Sequence, residues 1–168
     1  MNVTRDEVRE YLLEVMQSMG DEWDQGGPLS ESSKALGDLN WRSIEIVYIA
    51  RAVQQQLVQA RPDSGGRLSG LGLIDAGLGR KEDAIREGRQ AVELTPIAKD
   101  SLEGPEVVTN LAAIYAWVGQ RDLAIEQLEI AAKIPNGVHY GDLRLDPTWD
   151  PLRGDSRFEK IVNSLAPR

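Results

Sequence analysis

The residue types that usually carry acid–base or metal chemistry are sparse in this chain. It has one histidine, His139, and no cysteine, so a zinc site of the usual histidine and cysteine kind cannot form. Acidic residues cluster at 21–24 and at Glu82 and Asp83, in predicted loops or first helical turns, where solvated charge and helix-start electrostatics account for them. We therefore predict a non-enzymatic protein without a metal site.

Ser43 is the hydroxyl whose position best suits a chemical role. It opens a helical pattern whose first turn contains Glu45, near the positive end of the helix dipole. A hydroxyl at that place is exposed, and a phosphate attached to it would lie in a favourable field. Two interpretations stay open: a plain helix cap, worth ~1 kcal/mol, or a site of covalent modification.

Two segments of the chain repeat one pattern. Residues 71–96 read LGLIDAGLGRKEDAIREGRQAVELTP, and residues 111–135 read LAAIYAWVGQRDLAIEQLEIAAKIP. Each predicts two helices joined by a short glycine-containing turn, with small residues where antiparallel helices pack closely. The copies are offset by 40 residues and match at seven positions. The pairs are Leu71 and Leu111, Gly72 and Ala112, Asp75 and Tyr115, Gly79 and Gly119, Ala84 and Ala124, Ile85 and Ile125, and Ala91 and Ala131.

These two units resemble tetratricopeptide (TPR) repeats over about residues 67–166. Their offset exceeds the ~34-residue period of that family, and the extra residues fall between the units, at 98–104. The resemblance implies helical hairpins at 67–98 and 105–138 whose first helices line a groove for a protein or peptide. It places these residues in the groove: Ser69, Leu73, Thr109, Asn110, Ala113 and Trp117.

The residues expected in the groove are small, neutral or aromatic. They include no cluster of lysine and arginine, so the clamp by which many TPR proteins grip a chain terminus is not expected. Trp117 has two interpretations: it anchors an apolar peptide, or it is buried against the tail around Trp149.

The tail, residues 139–168, predicts a cap for the repeats. Asp-Pro dipeptides at 146–147 and 150–151 indicate an irregular segment, and Asp155 is placed to cap a last amphipathic helix. Such a helix can cover the open end of the second hairpin. The run LRLDPTWDPLR resembles the ending of TPR arrays in bacterial signalling proteins, where the arrays often follow protein kinase or adenylate cyclase domains.

The N-terminal segment predicts a pair of helices. Thr4 and Glu7 form a capping box, apolar residues follow at helical spacing as far as Gly20, and a loop fills 20–40. With the L-G-D-L step before Ser43, this pattern resembles the first half of an acyl carrier protein. In that family the serine is esterified by 4′-phosphopantetheine, so the resemblance implies attachment at Ser43 and acyl-transfer enzymes as partners.

The glycine-rich stretch between the two segments predicts a linker at 61–66. Gly65, Gly66, Gly70 and Gly72 fall where the first repeat helix should begin, and each glycine inside a helix costs ~1 kcal/mol relative to alanine. The stretch satisfies neither of the usual phosphate-loop patterns. We therefore expect a linker that runs into a weak helix.

Composition restricts the class of protein. Aromatic residues make up only 5% of the 168 residues, so aliphatic side chains must supply the core, which favours helices. The net charge of −8 argues against sequence-independent nucleic-acid binding. No run approaches the ~18 apolar residues of a membrane span, and the polar N-terminus does not resemble a secretory signal. A cytoplasmic location is expected.

Together these patterns predict an all-α protein. A truncated carrier-like helical pair at 1–60 precedes TPR-like repeats with a capping tail at 67–168. The function expected first is a non-catalytic protein–protein interaction scaffold. The alternatives are a carrier that bears 4′-phosphopantetheine on Ser43, and a fusion of two fragments without a joint function. A homo-oligomer stays open.

Overall fold

The structure is a computed structural model that describes residues 43–167, with side chains from residue 50 onward. The predicted first helix, its capping box at Thr4 and Glu7, and the loop at 20–40 lie outside the described residues. The chain divides into two compact units, residues 1–56 and residues 57–168.

Every element of residues 43–167 is helical, which confirms the predicted all-α fold class. In chain order the elements are α1 (Ser43–Ala60), α2 (Gly65–Gly77), α3 (Lys81–Leu94), α4 (Gly104–Trp117), α5 (Arg121–Ala131), α6 (Tyr140–Leu145), a 3-10 helix (Pro147–Leu152) and α7 (Ser156–Ser164). None of these described helices combines the length and apolar character that crossing a membrane requires.

Helix α2 begins earlier than the glycine content suggests. The Ser64 hydroxyl accepts a hydrogen bond from the Arg67 amide at 3.4 Å and caps the helix, so the predicted linker at 61–66 shortens to residues 61–64. At Gly65 the helix passes very close to α3, and a Cβ there would lie 2.6 Å from the Ala91 carbonyl oxygen. The position therefore has no room for a side chain. Its glycine character serves close packing, which the linker prediction did not consider.

The two helical hairpins turn in the same way. Gly79 and Gly119 adopt φ values of 77° and 80°, the left-handed region in which glycine avoids the strain of a Cβ. The amide after each glycine donates to a carbonyl five residues earlier: Arg80 to Asp75 and Gln120 to Tyr115, both at 2.8 Å. Residues that lie 40 positions apart in the sequence therefore occupy equivalent places in the two turns.

Helix α4 packs into the seam between α2 and α3. Ile114 is fully buried, and its Cδ1 atom would lie 2.9 Å from a Cβ on Gly72 and 2.8 Å from a Cβ on Gly88. The two glycines therefore make room for one isoleucine. Ala84 and Ala91 are also fully buried, as close approach of antiparallel helices requires.

The largest apolar cluster joins α4 and α5 to the C-terminal segment. Its tail members are buried and lie on α6, the 3-10 helix and α7: Leu143, Trp149, Leu152, Phe158, Ile161 and Val162. Asp155 caps α7, as predicted, by accepting from the Arg157 amide at 2.9 Å. The segment before α7 is more regular than predicted, because Asp146 caps the 3-10 helix by accepting from the Thr148 amide at 2.8 Å.

Candidate functional site

The first helices of the two hairpins, α2 and α4, lie side by side and share a polar link. The Asn110 side-chain amide donates to the Ser69 hydroxyl at 3.0 Å, and that hydroxyl donates to the Gly66 carbonyl at 2.9 Å. Ser69 is fully buried. It therefore joins two helices and does not line an open groove, which corrects the expectation from sequence.

Two other residues expected in the groove, Ala113 and Thr109, also make contacts within the helical structure. Ala113 is 3% exposed and belongs to the largest apolar cluster. Thr109 is half-buried, and its hydroxyl donates to the Pro105 carbonyl of its own helix at 2.9 Å. Short side chains between closely packed helices are covered by larger neighbours, so the expectation that Ala113 lines the groove is wrong.

Trp117 differs from these residues because a large part of it stays in solvent. Its side chain lies at the end of α4 and the residue is 42% exposed, whereas most bulky apolar residues of the described part are buried. The indole Nε1–H donates to the Thr148 carbonyl at 2.9 Å. A Cβ on Gly77 would lie 3.7 Å from Cζ3 of the same ring, in ordinary contact. The indole is thus anchored to the tail by a hydrogen bond and lies near Gly77 of α2.

Trp117 combines a contact with the tail and a large exposed area. The tail does contact the indole, through Thr148, while the neighbouring Trp149 is the tryptophan that is buried, at 3% exposure. The exposed part of Trp117 remains available to an apolar partner. We call Trp117, Thr148, Gly77 and Leu73 the Trp117 surface; Leu73 lies four residues before Gly77 on α2, and residues at this spacing share one side of a helix. Leu73 is half-buried and packs against two of the apolar clusters.

The Trp117 surface carries no ionisable side chain, so it can bind by apolar contact and through backbone groups. Sequence reasoning missed Gly77 and Thr148. Gly77 has no side chain that an apolar pattern could single out. Thr148 lies 31 residues beyond Trp117 in the chain, and no local pattern indicates that its carbonyl meets the indole.

A second polar link joins α3 to α4. Arg89 Nε donates to the Tyr115 hydroxyl at 2.8 Å, and the guanidinium carbon lies 5.8 Å from the centre of the tyrosine ring. This hydrogen bond is the main reason why the pKa of Arg89 is raised. Tyr115 is 3% exposed, so Arg89 gives the hydroxyl of this buried tyrosine a hydrogen-bond partner.

A third link ties α7 to α5. Arg157 lies 2.8 Å from Asp122 and 2.8 Å from Asp155 through its two terminal nitrogens. The Arg157 side chain, followed by its backbone amide, lowers the pKa of Asp155 to about 2. This pairing fixes the start of the last helix against the second hairpin.

An open depression follows one face of α3. It has a volume of about 560 Å³ and is lined by Glu82, Ile85, Arg86, Arg89, Gln90 and Glu93. The two acidic and two basic side chains give it no dominant sign of charge, so it does not favour an anionic or a cationic ligand. Among the residues that the structure describes, no group of three or more histidine, aspartate or glutamate side chains could hold a metal ion.

Ser43 is the first residue of α1. The Ser43 side chain is not among those that the structure describes, so both interpretations of Ser43 stay open. Comparison with protein-family models, curated proteins and solved structures gives no match.

Proposed function

We propose that this chain is a non-catalytic protein-interaction scaffold of the TPR type, in which the Trp117 surface binds an apolar segment of a partner protein. The observation that carries the proposal is the indole of Trp117, which is fixed by a hydrogen bond to the Thr148 carbonyl and is still 42% exposed. The equivalent turns at Gly79 and Gly119 support the repeat character of the two hairpins.

The exposed part of the indole is large enough to contribute to binding. A tryptophan buries up to ~250 Å² of surface, and 42% of that is about 100 Å². At about 25 cal/mol per Å², covering this area would stabilise a complex by about 2.5 kcal/mol. Tryptophan is among the residues enriched at energetic centres of interfaces.

The hydrogen bond to Thr148 also reduces the cost of binding. Ordering a mobile side chain at an interface costs about 0.5–1.5 kcal/mol, and the indole is already oriented by the Thr148 carbonyl. A partner therefore meets a fixed aromatic surface. Because the Trp117 surface is neutral, its affinity should depend little on salt concentration.

A peptide selection followed by matched variants tests the proposal. Peptides would be selected from a random library against the full chain and their affinities measured for the wild type, Trp117→Ala and Leu102→Ala. Leu102 is the control because it is 80% exposed and lies in the connection between the hairpins.

We expect neutral apolar peptides whose affinity falls by about 50- to 100-fold in Trp117→Ala, which corresponds to about 2.5 kcal/mol. The Leu102→Ala variant should bind as the wild type does. Selected peptides that bind Trp117→Ala with wild-type affinity, while its circular dichroism is unchanged, would contradict the proposal.

A carrier function is the second candidate, because Ser43 is the first residue of α1. A phosphate at a helix N-terminus is stabilised by the free amides and the dipole. In this proposal the serine oxygen receives the 4′-phosphopantetheine group of coenzyme A, the nucleotide part of coenzyme A leaves, and acyl-transfer enzymes are the partners. Intact mass after incubation with coenzyme A and a broad-specificity phosphopantetheinyl transferase tests it, with Ser43→Ala as control. An unchanged mass for the wild type would reject this candidate.

A further inference from the structure

The connection between α5 and α6 contains an asparagine in an unusual backbone conformation. Asn136 has φ of 58°, and among the described residues it is the one non-glycine residue with a positive φ. Asparagine tolerates this left-handed region better than most residues. The residue is exposed, and Gly137 follows it.

We propose that Asn136 and Gly137 form a site of spontaneous deamidation. The backbone nitrogen of Gly137 attacks the side-chain carbonyl carbon of Asn136, a new C–N bond closes a five-membered succinimide, and ammonia leaves. The backbone nitrogen loses its proton to solvent base. Water then opens the ring at either carbonyl and leaves an aspartyl or an isoaspartyl residue. Water is the only co-reactant, and nothing is oxidised or reduced.

The attacking nitrogen, that of Gly137, is restrained by little regular hydrogen bonding. The residue lies outside the helices, and the Gly137 amide is held by one turn hydrogen bond, to the Ile134 carbonyl at 3.2 Å. Glycine places no side chain next to the attacking nitrogen, and its backbone is the least restricted of all residues. Breaking one isolated, partly exposed hydrogen bond costs little, because water replaces the lost partner.

The other asparagines of the described residues are held more firmly. Asn110 lies inside α4 and its side-chain amide donates to Ser69. Asn163 lies inside α7. In both cases the next backbone nitrogen belongs to a helix, so ring closure requires the helix to open. Folding should therefore protect Asn110 and Asn163 and leave Asn136 reactive.

The isoaspartyl product should disturb the structure after α5. It inserts one methylene into the backbone, at a place where a Cβ on Gly137 would already collide with the Ala131 carbonyl oxygen. Two residues of the following segment, Val138 and Leu143, are buried in the largest cluster. The added length therefore cannot be accommodated without moving this connection. Both products also add a negative charge to a chain of net charge −8.

A single digest measures the three asparagines separately. Trypsin cleavage yields peptides 100–121, 134–144 and 161–168, each with one asparagine. The full chain would be incubated at mildly alkaline pH, folded or in urea, and then digested. Mass spectrometry would follow the replacement of NH2 by OH in each peptide. In the folded chain we expect the rate at Asn136 to exceed the rates at Asn110 and Asn163 at least about tenfold, or about 1.4 kcal/mol in activation free energy. Urea should accelerate the other two sites much more than Asn136.

Two variants complete the test. Asn136→Gly keeps access to positive φ and should abolish the mass change in peptide 134–144. Asn136→Asp carries the charge without the extra methylene, so aged wild-type protein should unfold at a lower temperature than this variant. Equal rates at the three asparagines in the folded chain, or a mass change that persists in Asn136→Gly, would overturn the proposal.

Discussion

The tail that holds Trp117 depends on one aromatic side chain, Phe158. It is the only phenylalanine of the chain and is fully buried on α7. It belongs to the same cluster as Leu143, Trp149 and Leu152, which lie on either side of Thr148 in the chain. Replacing Phe158 by alanine should therefore weaken both the fold and the support of the Trp117 surface.

The magnitude follows from complete burial. Burying a phenylalanine contributes about 1.5–3 kcal/mol by transfer from water, and the residual cavity raises the cost of Phe→Ala to about 3–5 kcal/mol. Domains of this size have unfolding free energies of about 5–15 kcal/mol, so Phe158→Ala should lower the melting temperature by roughly 10–20 °C.

Two control variants make this result specific. Phe158→Leu keeps most of the volume and should cost less than about 1.5 kcal/mol. Leu145→Ala removes a side chain that is 79% exposed and should change stability by less than about 0.5 kcal/mol. Thermal unfolding by circular dichroism measures all three. Phe158→Ala should also speed the hydrogen exchange of the Trp117 indole N–H, since the Thr148 carbonyl loses its support. A melting temperature of Phe158→Ala equal to that of Leu145→Ala would refute the reasoning.

Two further predictions concern packing and pH. Gly88→Ala should destabilise the fold although alanine favours helices by ~1 kcal/mol, because its Cβ would lie 2.8 Å from Ile114 Cδ1 and 2.9 Å from Leu111 Cδ1, and both side chains are buried and have little room to move. Gly141→Ala, whose Cβ would meet no neighbouring atom within 4 Å, should not destabilise it, and equal urea midpoints of the two variants would contradict this prediction. The folded pKa of Asp155 is about 2 and its ordinary value is 3.8, so its stabilising effect is present above about pH 4 and is lost as the pH falls toward about 2. The unfolding free energy of the wild type should therefore fall more over this range than that of Asp155→Asn, and parallel pH profiles would reject the contribution.

The sequence predicts the parts of this fold that depend on local patterns. The turns at Gly79 and Gly119 and the capping role of Asp155 each require only neighbouring residues, and the structure confirms them. The 3-10 helix was missed because two prolines indicate a break more strongly than a short helix.

The candidate site was predicted only in part, because it depends on distances between helices. Ser69 is buried between two helices and bonds with Asn110, 41 residues away, and the orientation of Trp117 depends on Thr148, 31 residues away. Helical periodicity indicates which side of a helix faces a neighbour, but it does not give the separation of α2 and α4. That separation decides whether a small side chain lines a groove or lies between the helices.

The most direct test of the central claim is to map where a selected peptide binds. Isotope-labelled full-length protein would be titrated with the peptide, and the indole N–H resonance of Trp117 would be identified by its loss in Trp117→Phe. We predict that this resonance shifts on binding together with the amides of Leu73 and Thr148. A peptide that binds and shifts other resonances, such as those of the α3 face at Arg86 and Gln90, while the Trp117 indole stays unchanged, would contradict the account.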